Sequence, residues 1–351
     1  IDPGPIARGL LASVNLYTGG GQNSKLDGLG HGTMVAGIAS LSLAHHAGAA
    51  PGAPLVSLDV LDDQGQGTES DAIAAADWIL QNKNTYNIKV ANFSLSTGAG
   101  TSILYDPLDK AVEQLWLSGV TVVAAAGNYG TASGPSGVVT APGNDPFVIT
   151  VGAADTNNTA DPSDDFTAPW SAWGYTPDGF AKPDLGAPGR MLNGPVPSGS
   201  TLVSEFPNRM VGRGYMWMSG TSFAAPVVSG AAYDVLLAHP GYTPDQVKGA
   251  LMYSAQAYSA YAGAIPQYPL GVGVLDAAGA IGVADPPNPN LALNQYITTD
   301  ATTGQPVFDS ASWATAAAAD ASWASASWAS ASWASASWAT ASWATASWAT
   351  A

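Results

Sequence analysis

Short apolar segments alternate with helix-like segments over most of the first 283 residues, and this alternation restricts the possible folds most strongly. The apolar segments are Leu55–Leu61, IKVANFSL, VTVVAAAG and Phe147–Asp155. Helical spacing appears in HGTMVAGIASL, SDAIAAADWILQNK, YDPLDKAVEQLWLSG, TSFAAPVVSGAAYDVLLAH and TPDQVKGALMYSA. Apolar strands alternating with helices predict an α/β fold, with a mostly parallel sheet covered by helices on both faces.

Composition divides the chain into three regions. Residues 1–284 carry the alternating pattern and predict one globular domain, although the Gly-, Pro-, Asp- and Asn-rich stretch Asp155–Met216 reads mostly as loops. Residues 285–310 begin with DPPNPN, which stops helices, and predict a linker that could form a small hairpin. Residues 311–351 form a low-complexity tail of SWAS and SWAT pentapeptides.

Charge and cysteine content exclude several classes of partner and site. Only 10% of the residues are charged, and the formal net charge of −16 argues against nucleic acid, whose phosphates require Lys and Arg. The absence of cysteine excludes disulfides and thiolate metal sites. We find no apolar run long enough to predict a membrane span. The first residue is not Met, so we expect a processed, secreted, extracellular product.

Three polar residues lie where open parallel sheets place their sites, at the ends of strands or the starts of helices. His31 in GHGTMVAGI begins a helix, and the alternative interpretation is a capping histidine. Ser222 in SGTSFAAP lies on a turn into a helix, where the backbone N–H groups would stabilise negative charge that develops during a reaction. The alternative interpretation is a serine that caps this helix. Asn128 in VVAAAGN ends a strand and could donate to an oxyanion, or it is a turn asparagine.

The three residues together predict nucleophilic catalysis. A serine nucleophile needs a base, and the base needs a carboxylate that fixes its tautomer. Asp2 in IDPG is the candidate carboxylate.

These motifs resemble those of the subtilisin-like serine proteases. HGTMVAGI matches the histidine signature of the family, GTSFAAP its serine signature and AAAGN its oxyanion asparagine. IDPG matches the aspartate signature less closely. The stretches GAAPGAPLVSLDVLDDQGQGT, AKPDLGAPG, HPGYTPDQVKGAL and GVGVLDAAGAI also resemble the family, so the likeness extends from Ile1 to about Val283.

The resemblance implies a subtilisin-like fold and a secreted endopeptidase that cleaves polypeptides. Ser222 would be the nucleophile, His31 the base and Asp2 the residue that orients His31. Asn128 and the Ser222 N–H would hold the oxyanion. The substrate would bind along two segments that line the primary specificity pocket, whose residues are Ser94, Leu95, Ser96, Thr97, Gly98, Ala124, Ala125, Ala126 and Gly127.

The aspartate region departs from the family pattern. In the family this aspartate ends a central strand, whereas here only Ile1 precedes Asp2, and Pro3 replaces Ser or Thr. We expect two neighbouring strands to have unpaired edges, with the gap filled by the cleaved upstream fragment of a self-processed chain or by another molecule. No cofactor is required by the implied mechanism. The acidic stretch Asp161–Asp165 could bind calcium, or it is a solvated loop.

Tryptophan recurs at five-residue spacing in the tail, with one interval doubled. On a helix or on a strand this period directs the indoles to more than one side. The tail is therefore disordered or embedded between partners, and we expect it to support a filament or other homo-oligomer. A second hypothesis follows, in which the chain is a structural filament subunit with little or no protease activity. The tryptophans of this repeat are Trp313, Trp323, Trp328, Trp333, Trp338, Trp343 and Trp348.

Overall fold

The computed structural model of the chain describes residues 9–20, 27–131, 134–256 and 269–319. In chain order, its strands are β1 Leu10–Asn15, β2 Ser42–Leu43, β3 His46–Ala47, β4 Leu55–Asp59, β5 Val90–Phe93, β6 Thr121–Ala125, β7 Ile149–Asp155, β8 Phe166–Thr167, β9 Gly174–Tyr175, β10 Ala181–Lys182, β11 Leu185–Pro188, β12 Leu192–Pro195, β13 Tyr215–Met218, β14 Ile297–Thr299 and β15 Pro306–Phe308. Its helices are α1 His31–Ser40, α2 Glu69–Tyr86, α3 Pro107–Leu117, α4 Thr201–Glu205, α5 Thr221–Ala238, α6 Pro244–Ser254, α7 Ala277–Ile281, α8 Leu291–Asn294 and α9 Ser310–Ala319.

The core sheet is parallel along the order β11-β7-β6-β5, and the short β8 adds an antiparallel edge to β7. All residues of β6 and β7 are buried, which explains why these strands read as continuous apolar runs. Helix α5 packs against β5, β6, β7 and β11, while α3 packs against α2 and β6. The predicted α/β class with a mostly parallel sheet is confirmed.

Helix α5 has the length and mean hydropathy of a membrane-spanning helix, which the sequence reasoning overlooked. Its 18 residues have a mean hydropathy of 1.3. In the structure, however, 61% of that segment is buried inside the protein, where it packs on the core sheet. The apolar character of α5 is therefore accounted for by its central position in the fold.

The parallel strands fall into two separate sheets. Strands β1 and β4 pair in parallel, from Leu10 opposite Leu55 to Asn15 opposite Asp59. Among the described residues, β4 pairs only with β1 and β5 only with β6, so the break lies between β4 and β5. The expectation that the strand before Asp2 belongs to such a break stays a prediction, because residues 1–8 lie outside the described residues.

The stretch Asp155–Met216 is more regular than its composition predicts. Strand β11 pairs with β7 in register from Leu185 opposite Val151, and so extends the core sheet. Strands β12 and β13 form an antiparallel pair in the same region. The expectation of mostly loops holds for more than half of the stretch, but it missed these strands. Their sequences contain Gly and Pro, and β11 is a strand because it is buried against β7 rather than because of its own propensity.

The C-terminal residues from 285 to 319 pack onto α3 and the core. Strands β14 and β15 form an antiparallel hairpin, and the Gln114 side chain donates to the Pro306 carbonyl at 3.1 Å. Asp309 caps α9 by accepting from the Ser312 N–H at 2.9 Å. In α9, Trp313 is buried and stacks on Phe180 with ring centroids 4.8 Å apart. The start of the tail is therefore helical and docked, while residues 320–351 lie outside the described residues.

A group of buried carboxyls lies between α3 and the core sheet. Burial and the neighbouring charge of Asp145 raise the pKa of Asp109 to about 10. Burial also raises the pKa of Asp145 to about 6, and that of Glu113 well above its usual value. The Asn144 amide donates to Asp109 at 3.2 Å. These carboxyls bind protons far more tightly in the folded protein than in the unfolded chain.

We predict that Asp109→Asn stabilises the protein at alkaline pH. Since the folded-state pKa of Asp109 is raised, the unfolded chain releases the proton first as pH rises above about 4, and folding stability then falls. The substitution removes this loss, so the free energy of unfolding should exceed that of the wild type at pH 8 and differ little at pH 4. Denaturant unfolding at both pH values measures it.

The control is Asp77→Asn, which changes an exposed carboxyl on α2. It should leave the pH dependence of stability unchanged. If the Asp109→Asn variant were less stable than the wild type at pH 8, that result would contradict a raised pKa of Asp109 in the folded protein.

Candidate active site

The N-terminus of α1 is closed by a carboxylate and a glycine that hold His31 in place. Asp27 accepts from the Gly30 N–H at 2.7 Å and from the Thr33 N–H at 2.6 Å. Gly30 has a φ of 95°, and a Cβ there would come within 2.7 Å of Ser200 Oγ. Only glycine fits this turn, so the residue before His31 is dictated by backbone geometry and close packing.

The His31 imidazole lies beside the first turn of α5. Its ring centroid is 5.2 Å from that of Phe223, the residue that follows Ser222. Burial lowers the pKa of His31, and the negative charge of Asp27 partly opposes this shift. A lowered pKa keeps the imidazole neutral near pH 7, which is the state that a general base requires.

Ser222 is the second residue of α5 and is partly buried. The first N–H groups of a helix have no acceptor within the helix and carry partial positive charge. The Ser222 N–H therefore lies where an oxyanion would be stabilised. The turn is attached to the loop after β11 by the Gly220 N–H, which donates to the Gly189 carbonyl at 2.9 Å.

Asn128 is joined to this turn by its carbonyl oxygen. Asn128 Oδ1 accepts from the Thr221 N–H at 2.9 Å and from Thr221 Oγ1 at 3.0 Å. Thr221 Oγ1 in turn accepts from the Gly127 N–H at 3.1 Å. Because Oδ1 is engaged by donors, the Nδ2 group remains as the donor for a ligand.

The predicted substrate-binding residues lie in two environments. Residues 94–98 follow β5 along the surface, and the Thr97 N–H donates to the Ala141 carbonyl at 2.9 Å. Ala124 and Ala125 belong to β6 and are buried in the main core, while Ala126 packs with Val138 and Ala172. The role of these residues in substrate binding stays a prediction.

The structure brings Ser222, His31 and Asn128 to neighbouring positions, whereas Asp2 lies outside the described residues. Sequence reasoning missed Asp27, which accepts from the N–H groups of Gly30 and Thr33 beside His31, and Thr221, which bonds to Asn128. Thr221 lies inside the serine signature and Asp27 lies just before the histidine signature, but the sequence shows no hydrogen bonds. Among the described residues, no three His or carboxylate side chains form an arrangement that could hold a metal ion, and this includes the acidic stretch Asp161–Asp165.

A serine at a helix N-terminus, a neutral histidine beside it and an amide donor define a site of the kind used for nucleophilic serine chemistry. Residues 13–273 match the model of the Subtilase family. The chain belongs to the subtilase family, and its α/β fold is subtilisin-like.

Similar proteins include two curated serine proteases and one subtilisin. Serine protease AprX of Bacillus subtilis (strain 168) is 40% identical over 233 residues, covering 63% of this chain and 52% of AprX. Subtilisin DY of Bacillus licheniformis is 33% identical over 237 residues, covering 67% of this chain and 73% of that protein. The extracellular serine proteinase of Thermus sp. (strain Rt41A) is 36% identical over 226 residues, covering 64% of this chain and 46% of that protein.

A solved structure supports the same fold. The crystal structure of a cold adapted subtilisin-like serine proteinase aligns with a TM-score of 0.54 at 30% identity, covering 75% of this chain and 79% of that one. The present chain spans about half the length of several curated relatives that it matches, AprX among them.

We predict that Asp27→Asn lowers the pKa of His31 further. The negative charge of Asp27 raises this pKa in the wild type, and Asn removes the charge while keeping one acceptor oxygen for the helix cap. NMR titration of the His31 ring protons measures the change, and the chain has only four histidines to resolve.

The matched control is Asp62→Asn, in a turn where Asp62 accepts from the Gln64 and Gln66 N–H groups. That substitution should leave the His31 titration in place. An unchanged or raised pKa in Asp27→Asn would show that Asp27 does not act on His31.

Proposed function

We propose that this chain is a secreted serine endopeptidase that cleaves polypeptides. The observation that carries the proposal is the attachment of Asn128 to the turn of Ser222, through two hydrogen bonds from Thr221. An oxyanion donor joined to the nucleophile's own helix is of direct use in acyl transfer. The relatives support the proposal, because AprX is named a serine protease and shares 40% of the aligned residues.

In the proposed mechanism, Ser222 Oγ attacks the scissile carbonyl and His31 accepts the serine proton. His31 can do so because burial lowers its pKa and leaves it neutral. Asn128 Nδ2 and the Ser222 N–H donate to the oxyanion. His31 then returns the proton to the leaving amine as the C–N bond breaks, which leaves the acyl group on Ser222 Oγ. A water molecule that is deprotonated by His31 hydrolyses this ester and frees Ser222, and Asp2 orients the imidazole throughout. These steps require no cofactor, and a structural calcium ion stays an open prediction for this chain.

The substrate would bind along residues 94–98. Among the described residues, the backbone groups of Leu95 and Ser96 make no hydrogen bond to another part of the protein. An extended peptide could therefore add to this segment as a strand. Gly127, at the end of the segment 124–127, is only partly buried and lies beside Asn128.

Extracellular location and self-processing belong to the same proposal. Extracellular location is supported by the relative from Thermus sp., which is named an extracellular serine proteinase. Ser222 would also carry out the self-processing expected from the sequence, after which the cleaved upstream fragment could remain bound. Ser222→Ala would then leave a longer precursor uncut.

A fluorophosphonate probe and a peptide substrate test the enzyme function. We predict that the probe labels Ser222, that Ser222→Ala prevents labelling and hydrolysis, and that Asn128→Ala lowers kcat by about 10²–10³ with little change in KM. The loss falls on kcat because Asn128 binds the developing oxyanion more strongly than the ground-state carbonyl.

The two candidate functions give opposite outcomes in this experiment. A folded wild-type chain that is not labelled and does not hydrolyse peptides would favour the structural subunit over the enzyme. An Asn128→Ala variant with a raised KM and an unchanged kcat would contradict the oxyanion role while leaving the nucleophile intact.

We also propose that the tail joins copies of this chain into a homo-oligomer or filament, in an active enzyme or in a structural subunit. The supporting observation is Trp313, whose indole is buried against the rings of Phe180 and Phe308. This contact supports the proposal, because here a tryptophan of the repeat packs against aromatic side chains of a folded domain. The later units carry the same SWA sequence and offer six further indoles.

Deleting residues 320–351 should leave a soluble, folded domain that no longer assembles. The full chain should sediment as a large species in analytical ultracentrifugation, whereas the shortened chain should sediment as a monomer. A matched control keeps the tail length and removes only its indoles. That control substitutes Ala for Trp323, Trp328, Trp333, Trp338, Trp343 and Trp348.

The indole-free control should also be monomeric if the tryptophans make the contact. Assembly that survives the deletion, or a full chain that sediments as a monomer, would overturn the proposal.

A further inference from the structure

The carbonyl of the nucleophile lacks its usual helical donor. In an α-helix the carbonyl of one residue accepts from the N–H of the residue four positions later. For Ser222 that residue is Pro226, which lies inside α5 and has no N–H. The turn that carries the nucleophile therefore loses a hydrogen bond that an ordinary helix would supply.

A side chain from the core sheet provides the missing donor. Ser94, the residue that follows β5, donates from Oγ to the Ser222 carbonyl at 2.7 Å. Because a carbonyl oxygen can only accept, the Ser94 hydroxyl proton must point to Ser222. The Ser94 oxygen is then available to accept a hydrogen bond itself.

Two further residues complete a directed chain. Asn92 Nδ2 donates to Ser94 Oγ at 2.9 Å, which fixes the orientation of the Asn92 amide. Asn92 Oδ1 consequently faces Ser229, whose Oγ donates to it at 2.9 Å. Ser229 Oγ also contacts the Ala225 carbonyl at 3.1 Å.

The chain of hydrogen bonds begins and ends on α5. Ser229 lies about two helical turns after Ser222, so both residues are on the same side of the helix, which faces the end of β5. Pro226 lies between them. Asn92 and Ser94 therefore bridge the helix across the point where proline interrupts its own hydrogen bonding.

We propose that Ser94, Asn92 and Ser229 are positioning residues that hold the Ser222 turn by replacing the hydrogen bond withdrawn by Pro226. The proposal rests on the proposed peptidase function and names how its nucleophile is held. A turn held in this way keeps Ser222 Oγ and N–H aligned for the transition state, so its loss lowers kcat rather than substrate affinity.

Kinetics with a compensating substitution test the proposal. Ser94→Ala should lower kcat about three- to tenfold, the effect of one hydrogen bond, with KM little changed. Ser229→Ala should cause a smaller decrease, because Ser94 keeps its contact with Ser222. In the double variant with Pro226→Ala, the restored N–H should recover most of the kcat lost in Ser94→Ala.

The matched control is Ser40→Ala in α1. Ser40, like Ser229, is a buried helix serine whose Oγ lies close to the carbonyl one turn earlier, and Ser40 Oγ donates to the Ala36 carbonyl at 3.3 Å. Ser40 is not part of the series of hydrogen bonds that reaches Ser222, so kcat of the Ser40→Ala variant should equal that of the wild type. A loss in Ser229→Ala that Ser40→Ala reproduces would overturn the positioning role of Ser229.

A spectroscopic measurement separates this proposal from the enzyme function. The pair Ser222–Phe223 is the only Ser-Phe sequence in the chain, so labelling Ser with ¹³C at the carbonyl and Phe with ¹⁵N gives one carbonyl–amide correlation. Ser94→Ala should move the Ser222 carbonyl shift in the direction of a lost hydrogen bond, and adding Pro226→Ala should move it back. Ser40→Ala should leave it in place.

These readouts distinguish the possible failures. If the wild type does not hydrolyse peptides but the carbonyl shift responds as expected, the enzyme function fails and the hydrogen-bond chain stands. If the shift and kcat are unchanged in Ser94→Ala, or if Pro226→Ala restores neither, the chain of hydrogen bonds does not hold the turn and the proposal is wrong.

Discussion

The first turn of α5 is held to the ends of the core strands by side-chain hydrogen bonds, and the rest of the site depends on this attachment. Thr221 bonds to Asn128 after β6, and Ser94 after β5 bonds to the Ser222 carbonyl. Helix α5 is itself packed against β5, β6, β7 and β11. The position of Ser222, the proposed nucleophile, therefore follows from the burial of one apolar helix together with a few polar contacts at its start.

The low charge of the chain has a counterpart inside the fold, because several of its few ionisable groups are buried. Lys182 and Lys248 both contact Asp184, at 2.8 and 3.1 Å, and Lys248 also donates to the Pro146 carbonyl. Burial lowers the pKa of Lys182 to about 8. These groups order the chain beside β7, where Thr150 donates to Asp184. Because these charges are buried, they do not add to electrostatic repulsion between the surfaces of two copies of the protein.

A linker and a tail set this chain apart from a plain protease domain. The structure shows the linker and the start of the tail packed against the core. The hairpin β14–β15 brings Phe308 against Phe147 of the core, with ring centroids 5.0 Å apart and nearly perpendicular. Helix α9 then places Trp313 on Phe180. The start of the repeat is thus part of the folded unit, because its indole fills an aromatic site that two distant segments create.

The sequence by itself determined the fold class and the helices that begin at His31 and Thr221, and it named the candidate reactive groups. Apolar periodicity and signature motifs are local, so residues such as Ser222 and Asn128 could be named from them. Strand β11, the docking of Trp313, the raised pKa of Asp109 and the contact of Ser94 with Ser222 were decided only by the tertiary structure. Each of these depends on which distant residues are packed together, and burial, hydrogen bonding and electrostatic shifts arise only when they meet.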